Sequence, residues 1–149
     1  MRESLKQRLM TVAIEWKKES TCMRNQVGGV LVQDGRIIAS GYNGSPSGLS
    51  HCFGLETCPE NINGRITCTK TLHCEAAIIT FCAKQGIPTN QSDLFITLFP
   101  CKECAKMLIN AGIKKIYYLE EYSGINGRTL LEEAQIEIEK LDYNPDILR

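Results

Sequence analysis

The amino-acid sequence predicts a three-layer α/β/α domain built on a mixed, five-stranded sheet. Three observations carry that expectation. Apolar residues change period along the chain, from helical spacing to short strand-like runs and back. The dipeptide Asp34-Gly35, which tight hairpins favour, separates the first two strand-like runs and makes them antiparallel neighbours. Beyond Leu72, helical and strand-like segments alternate, the order that lays helices on the faces of a sheet.

Each element follows from local chemistry. From Leu5 to Lys18, the residues Leu5, Leu9, Val12, Ala13 and Trp16 recur at helical spacing and give an opening helix one buried stripe. Val27 to Val32 reads as a strand, and Ile37, Ile38 and Ala39 as its return partner. Gly, Asn, Ser, Pro and Cys then dominate a long cysteine-rich loop, about 42–72, too long for an ordinary connection and so either functional or locally stapled. Glu75 to Lys84 is apolar enough for a buried helix that stops near Gly86. Leu94 to Phe99 is a strand ended by Pro100, Cys101 to Ala111 a helix with Gly112 as its cap, and Ile113 to Leu119 the next strand. A shorter helix at Thr129 to Ala134 and a strand at Ile136 to Leu141 complete the five strands. Right-handed crossovers bring the N-termini of the helices after Leu72 and Pro100 to one edge of the sheet, where their dipoles converge.

The chain has 149 residues, 43% of them hydrophobic, enough for one core, so a single domain across 1–149 is expected. Its 17 basic and 17 acidic residues cancel, which leaves no net field to hold a nucleic acid; no nucleic-acid partner is expected. No window is long and apolar enough for a membrane span or a signal peptide, so no membrane partner is expected either. Several of the eight cysteines stand beside His and Glu, which fits reduced thiols and a cytoplasmic location.

The most informative feature is His73-Cys74-Glu75 together with Pro100-Cys101-Lys102-Glu103-Cys104. It fits the H-x-E and P-C-x-x-C signature of zinc deaminases, in which one imidazole and two thiolates hold the metal while the glutamate carries protons. Cys101 and Cys104, three apart at a helix start, project to the same side, and the helix N-terminus favours their ionised forms. His73, at the start of another helix, can meet them. Three protein ligands leave a fourth position open for water, as in catalytic rather than structural zinc sites. A plain Cys-x-x-Cys pair would equally suit a structural zinc or small core residues, and a zinc-stapled interaction module is the non-enzymatic alternative. The Pro, the His-x-Glu and the two helix starts together favour a catalytic centre, with Glu75 as acid and base.

Over nearly its whole length the chain resembles the deoxycytidylate deaminases of the zinc-dependent cytidine deaminase superfamily. The resemblance rests on Asn25-Gln26-Val27-Gly28-Gly29, on Gly41-Tyr42-Asn43-Gly44-Ser45-Pro46-Ser47-Gly48, on His51-Cys52, and on Leu98 to Lys106 with Ala111-Gly112-Ile113-Lys114. It implies hydrolysis of deoxycytidylate to deoxyuridylate and ammonia. It also implies that Asn43 bonds the sugar, that Tyr122 closes over the nucleotide, and that Asn25, ahead of Arg24 and Lys102, neighbours the phosphate. Asn43 would otherwise be a turn residue and Tyr122 a surface ring. The resemblance further implies a hexamer and control by dCTP and dTTP, with Mg2+ accompanying these effectors, at the glycine-rich loop around Asn43.

Where the family pattern has His-Ala-Glu-x-Asn-Ala-Ile, this chain has Cys74 for Ala and Ala77 for Asn. The lost amide opens an alternative in which deoxycytidine triphosphate, or both nucleotides, serve as substrate. A free-nucleoside enzyme would more often carry Cys-Ala-Glu, whereas a nucleic-acid deaminase would need a basic or aromatic track. A deaminase of pterin or riboflavin precursors is a further alternative. Cys22, His51, Cys52, Cys58 and Cys68 supply soft ligands for a second, structural Zn2+, although no Cys-x-x-Cys knuckle lies among them.

Overall fold

The computed structural model describes residues 1–52, 59–62 and 65–148, the segments 59–62 and 65–67 by their backbone. Helix α1 (Glu3–Lys17) precedes strands β1 (Gly28–Gln33) and β2 (Arg36–Tyr42), and a second antiparallel pair, β3 (Pro59–Ile62) and β4 (Arg65–Cys68), follows. Then come α2 (Cys74–Gln85), β5 (Asp93–Leu98), α3 (Lys102–Asn110), β6 (Lys115–Glu120), α4 (Arg128–Glu133) and β7 (Glu137–Lys140), with a 3-10 turn at Pro145–Leu148.

The main sheet has five strands in the order β2-β1-β5-β6-β7. β1 is antiparallel to both β2 and β5, whereas β5, β6 and β7 run parallel, so the sheet is mixed as expected. Asp34 (φ 50°) and Gly35 (φ 72°) make the β1–β2 turn in the left-handed conformation that an Asp-Gly hairpin requires.

Alternation along the strands sends side chains to two opposite cores. Val30, Val32, Phe95 and Tyr117 meet Leu9, Met10 and Ala13 of α1 on one face. Leu31, Leu94, Ile96, Ile116 and Tyr118 meet Ile78, Cys82, Leu108 and Leu131 of α2, α3 and α4 on the other. The result is the three-layer α/β/α arrangement. α1 lies so close to β1 that a Cβ at Gly28 would stand 2.1 Å from the Ala13 carbonyl, which accounts for that glycine.

The β3–β4 pair was not anticipated: the cysteine-rich stretch carries regular structure within it. At the two ends of this long stretch, Gly44 and Leu72 exchange backbone hydrogen bonds. Among the described residues, no helix is long and apolar enough to cross a membrane.

Candidate metal centre and substrate cleft

The two helices that follow the long loop and β5 begin side by side, and each begins with a metal-ligand type. His73 is the N-cap of α2, with extended backbone (φ −67°, ψ 151°). Cys101 is the N-cap of α3 (φ −69°, ψ 169°), and its sulfur accepts from the Cys104 N–H in place of the usual capping oxygen. Pro100, before it, cannot extend the β5 ladder and turns the chain into the helix.

The convergence predicted from the spacing is present. The ligand atoms of His73, Cys101 and Cys104 all lie within 4.8 Å of one another. His73 Nδ1 is 3.5 Å from Cys101 Sγ and 3.4 Å from Cys104 Sγ. Tetrahedral zinc with bonds of roughly 2.0–2.3 Å separates a nitrogen donor from a sulfur donor by about 3.5 Å, so both nitrogen–sulfur spacings fit the ion.

Electrostatics point the same way. The Cys101 thiol is lowered to about 4, first by its hydrogen bond with Cys104 and then, against its burial, by His73 and the Cys104 N–H. Cys104 is pushed up by the same sulfur contact, by burial and by the charge of Glu75. His73 is raised, chiefly by its contact with Cys101. A cation bonded to both sulfurs holds both as thiolates, extending to Cys104 what Cys101 already favours.

Glu75 is 5% exposed and sits in the first turn of α2 beside the three ligands. Burial raises its carboxyl to about 7, against the opposing effects of its own backbone N–H, His73 and the Cys104 thiol. A carboxyl held near neutrality can both take and return a proton. Cys74, the first departure from the family pattern, is a buried thiol donating to the Gly41 carbonyl at 3.3 Å, and its burial keeps it neutral; it ties α2 to β2. Ala77, the second departure, is not a cleft-lining residue and lies beside β2 at Gly41.

His73 and Glu75 open into a cleft of about 440 Å³ whose walls include Arg24, Asn25, Asn43, Phe99 and Tyr122. The structure therefore lines one cleft with Asn25, Asn43, Tyr122 and Glu75. Lys102 is not among the lining residues. Asn43 has a second role that sequence reasoning reached only as a turn residue. Its Oδ1 accepts from the Val27 N–H and the Ser20 hydroxyl, both at 2.8 Å, and its Nδ2 donates to the Asn25 carbonyl at 2.6 Å. The acceptor capacity of the amide is used inside the protein, and one N–H is left for a ligand. Phe99, Leu98, Thr71 and Val27 also line the cleft and were not singled out from the sequence. Position was the available signal for Leu98 and Phe99, which directly precede the Pro-Cys pair.

Cys22 and Cys68 line the same cleft, while Cys52 is buried against the Ser45 hydroxyl at 3.5 Å. Cys68 accepts from the Thr71 N–H at 3.2 Å and donates to its hydroxyl at 3.0 Å. Among the described residues no three of Cys22, His51, Cys52 and Cys68 bring ligand atoms together, and Cys58 lies outside them.

A three-ligand N/S/S centre at two helix starts, beside a buried glutamate and on this sheet, defines a zinc-dependent deaminase. Residues 3–120 match the family model of the cytidine and deoxycytidylate deaminase zinc-binding region, and the chain belongs to that family. It is similar to the dCMP deaminase of cyanophage S-TIM5, solved in complex with dCMP and dUMP, with TM-score 0.84 and 36% identity over 95% of this chain and 99% of that one. It is 38% identical over 130 residues to ComE operon protein 2 of Bacillus subtilis, covering 87% of this chain and 67% of that protein. Identity to the deoxycytidylate deaminase of Enterobacteria phage T4 is 28% over 148 residues, covering 76% of this chain and 77% of that one.

Proposed function

We propose that this chain converts deoxycytidylate to deoxyuridylate and ammonia. The observation that carries the reading is a buried glutamate with its carboxyl raised to about 7, set beside three convergent zinc ligands in a cleft that Asn25, Asn43 and Tyr122 share. Support for the monophosphate comes from the similarity to the S-TIM5 enzyme solved with dCMP and dUMP.

His73, Cys101 and Cys104 would hold a zinc ion, which when bound would supply an activated water for attack on the amino-bearing carbon of the ring. Glu75 would take one proton from that water and deliver it to ring nitrogen N3, then take the proton of the hydroxyl now on the carbon and pass it to the amine, which leaves as ammonia as the C–O bond becomes a carbonyl. The remaining Asn43 N–H would donate to the sugar, and Asn25 and Arg24, which line the same cleft, would neighbour the phosphate. Tyr122 provides an aromatic face for the base, and with the buried Phe99 behind the cleft wall it limits access of bulk water.

On family grounds the chain is assigned a hexameric assembly and regulation by dCTP and dTTP with Mg2+, regulation also on the glycine-rich loop at Gly41 to Gly48. A cytoplasmic location is assigned on the reduced thiols that the cysteine pattern implies.

An ammonia-release assay over deoxycytidine, its mono-, di- and triphosphates, cytidylate and a short cytosine-containing single strand tests the substrate. Deoxycytidylate is expected to give the highest kcat/KM. A higher value for deoxycytidine triphosphate would transfer the assignment to the triphosphate.

A further inference from the structure

Behind the cleft wall, four side chains form a closed polar clasp that the deamination chemistry does not use. Arg128 Nη2, at the first residue of α4, donates to both carboxylate oxygens of Glu121 at 3.0 Å and to the Tyr118 hydroxyl at 3.0 Å. Tyr118 in turn donates to Glu121 Oε1 at 2.5 Å. The guanidinium stacks over the Phe99 ring, 4.5 Å from its centroid, and Tyr118 meets that ring edge-on at 4.7 Å.

Two properties of the clasp connect it to the substrate site. Phe99 is 1% exposed, lines the cleft, and stands two residues before the ligand Cys101. Glu121 directly precedes Tyr122, which lines the cleft from the loop between β6 and α4. The same loop is bonded to the start of α3, Lys102 N–H to the Ile125 carbonyl at 3.1 Å and Gly127 N–H to the Pro100 carbonyl at 3.0 Å. Arg128 therefore grips the residue beside Tyr122 with its hydrogen bonds and the Phe99 ring with its flat face.

We propose that Arg128 is a positioning residue for the nucleotide pocket, fixing Tyr122 through its Glu121 and Tyr118 contacts and the cleft wall at Phe99 through its stacked guanidinium. Part-exposed ion pairs contribute little to global stability, so a guanidinium with this much ordered geometry acts on local placement more than on folding. Small displacements of groups that hold a substrate cost far more in rate than in stability. A lysine could not reproduce the arrangement, because a point charge lacks the planar fork that reaches Glu121 and Tyr118 while stacking on Phe99.

The inference rests on the cleft being the nucleotide site, and the test separates the two. Wild-type turnover of the substrate panel tests the site; variants, assayed on whichever cytosine nucleotide the wild type deaminates best, test Arg128. Arg128→Met keeps an apolar stem over Phe99 and removes the guanidinium. We expect one zinc per chain, a KM raised about 10-fold or more, and a smaller change in kcat. In the Tyr122→Ala background the same substitution is expected to raise KM by a clearly smaller factor than in the wild type, because one of the two residues it acts through is gone. Arg128→Lys is expected to fall between wild type and Met. An unchanged KM for Arg128→Met, or independent multiplicative effects in the double variant, would overturn the proposal. Should Arg128→Met lose its zinc or fail to fold, Glu121→Gln serves in its place. It leaves a hydrogen-bonding side chain, is expected to raise KM in the same direction by a smaller factor, and contradicts the proposal if KM is unmoved.

Discussion

Cys101 and Cys104 carry the same side chain as Cys22, Cys52 and Cys68, yet the first pair is brought to a point with His73 and the second set is not. Cys101 and Cys104 are separated by one helical turn and sit where the N–H groups of α3 face them. Cys22 and Cys68 reach the same cleft from segments that follow α1 and end β4; the Cys22 backbone N–H donates to the Ser20 hydroxyl, and the Cys68 thiol is engaged by Thr71. A sulfur becomes a metal ligand when regular elements on both sides aim it; composition alone does not supply that aim.

The strongest way to break this contrast is to remove a member of the convergent set. Cys104→Ala is expected to lose stoichiometric zinc and reduce ammonia release by about 10³-fold or more, because both activation of water and its placement depend on the ion. Stripping zinc from the wild type with a strong chelator should give the same loss, and restoring zinc should reverse it. Retained activity in zinc-free protein would end the metal account.

Asn43→Ala gives the next largest effect, and on stability as well as turnover. It leaves the buried Val27 N–H without its acceptor and the Asn25 carbonyl without its donor, whereas the Ser20 hydroxyl keeps its bond to the Asn43 carbonyl. Unpaired buried groups of this kind cost about 1–3 kcal/mol each, so a loss of about 2–4 kcal/mol in denaturant unfolding is expected, accompanied by a raised KM. A stability loss with KM unchanged would leave Asn43 with its internal bonds alone.

The smallest effects belong to the other cysteines. Cys68→Ser is expected to keep its contacts with Thr71 and change turnover by no more than about twofold, whereas Cys52→Ala, at a buried site, is expected to cost about 1 kcal/mol of stability. Both should bind the same zinc per chain as the wild type. A halving of metal content in either would reveal a second ion and bring the two cysteine sets closer together.

What was legible in the sequence follows the same division. The sheet, its antiparallel start and the helices that carry His73 and Cys101 could be read because period, Asp34-Gly35 and Pro100 are local signals with one structural meaning. The β3–β4 pair escaped because its strands are four residues each and Pro59 to Ile62 lacks a run of apolar alternation. Its one signal was Asn63-Gly64 in the sequence between them, a hairpin dipeptide of the same kind as Asp34-Gly35. The spacing singled out Glu75 for the proposed proton-carrying role, but the rise of its carboxyl to about 7 depends on burial by distant parts of the chain. The Arg128 clasp was not legible at all, since it joins Phe99, Tyr118, Glu121 and Arg128 through ring stacking that no spacing encodes.

The account stands most directly on Glu75, which touches the chemistry without holding the metal. Wild type and Glu75→Gln would be purified side by side and assayed for zinc per chain and for deoxyuridylate formed from deoxycytidylate. The expected result is one zinc in each and a rate lower by about 10²–10⁴-fold in the variant, the range for loss of a general acid and base. A zinc-loaded Glu75→Gln variant that forms deoxyuridylate as fast as the wild type would contradict the account.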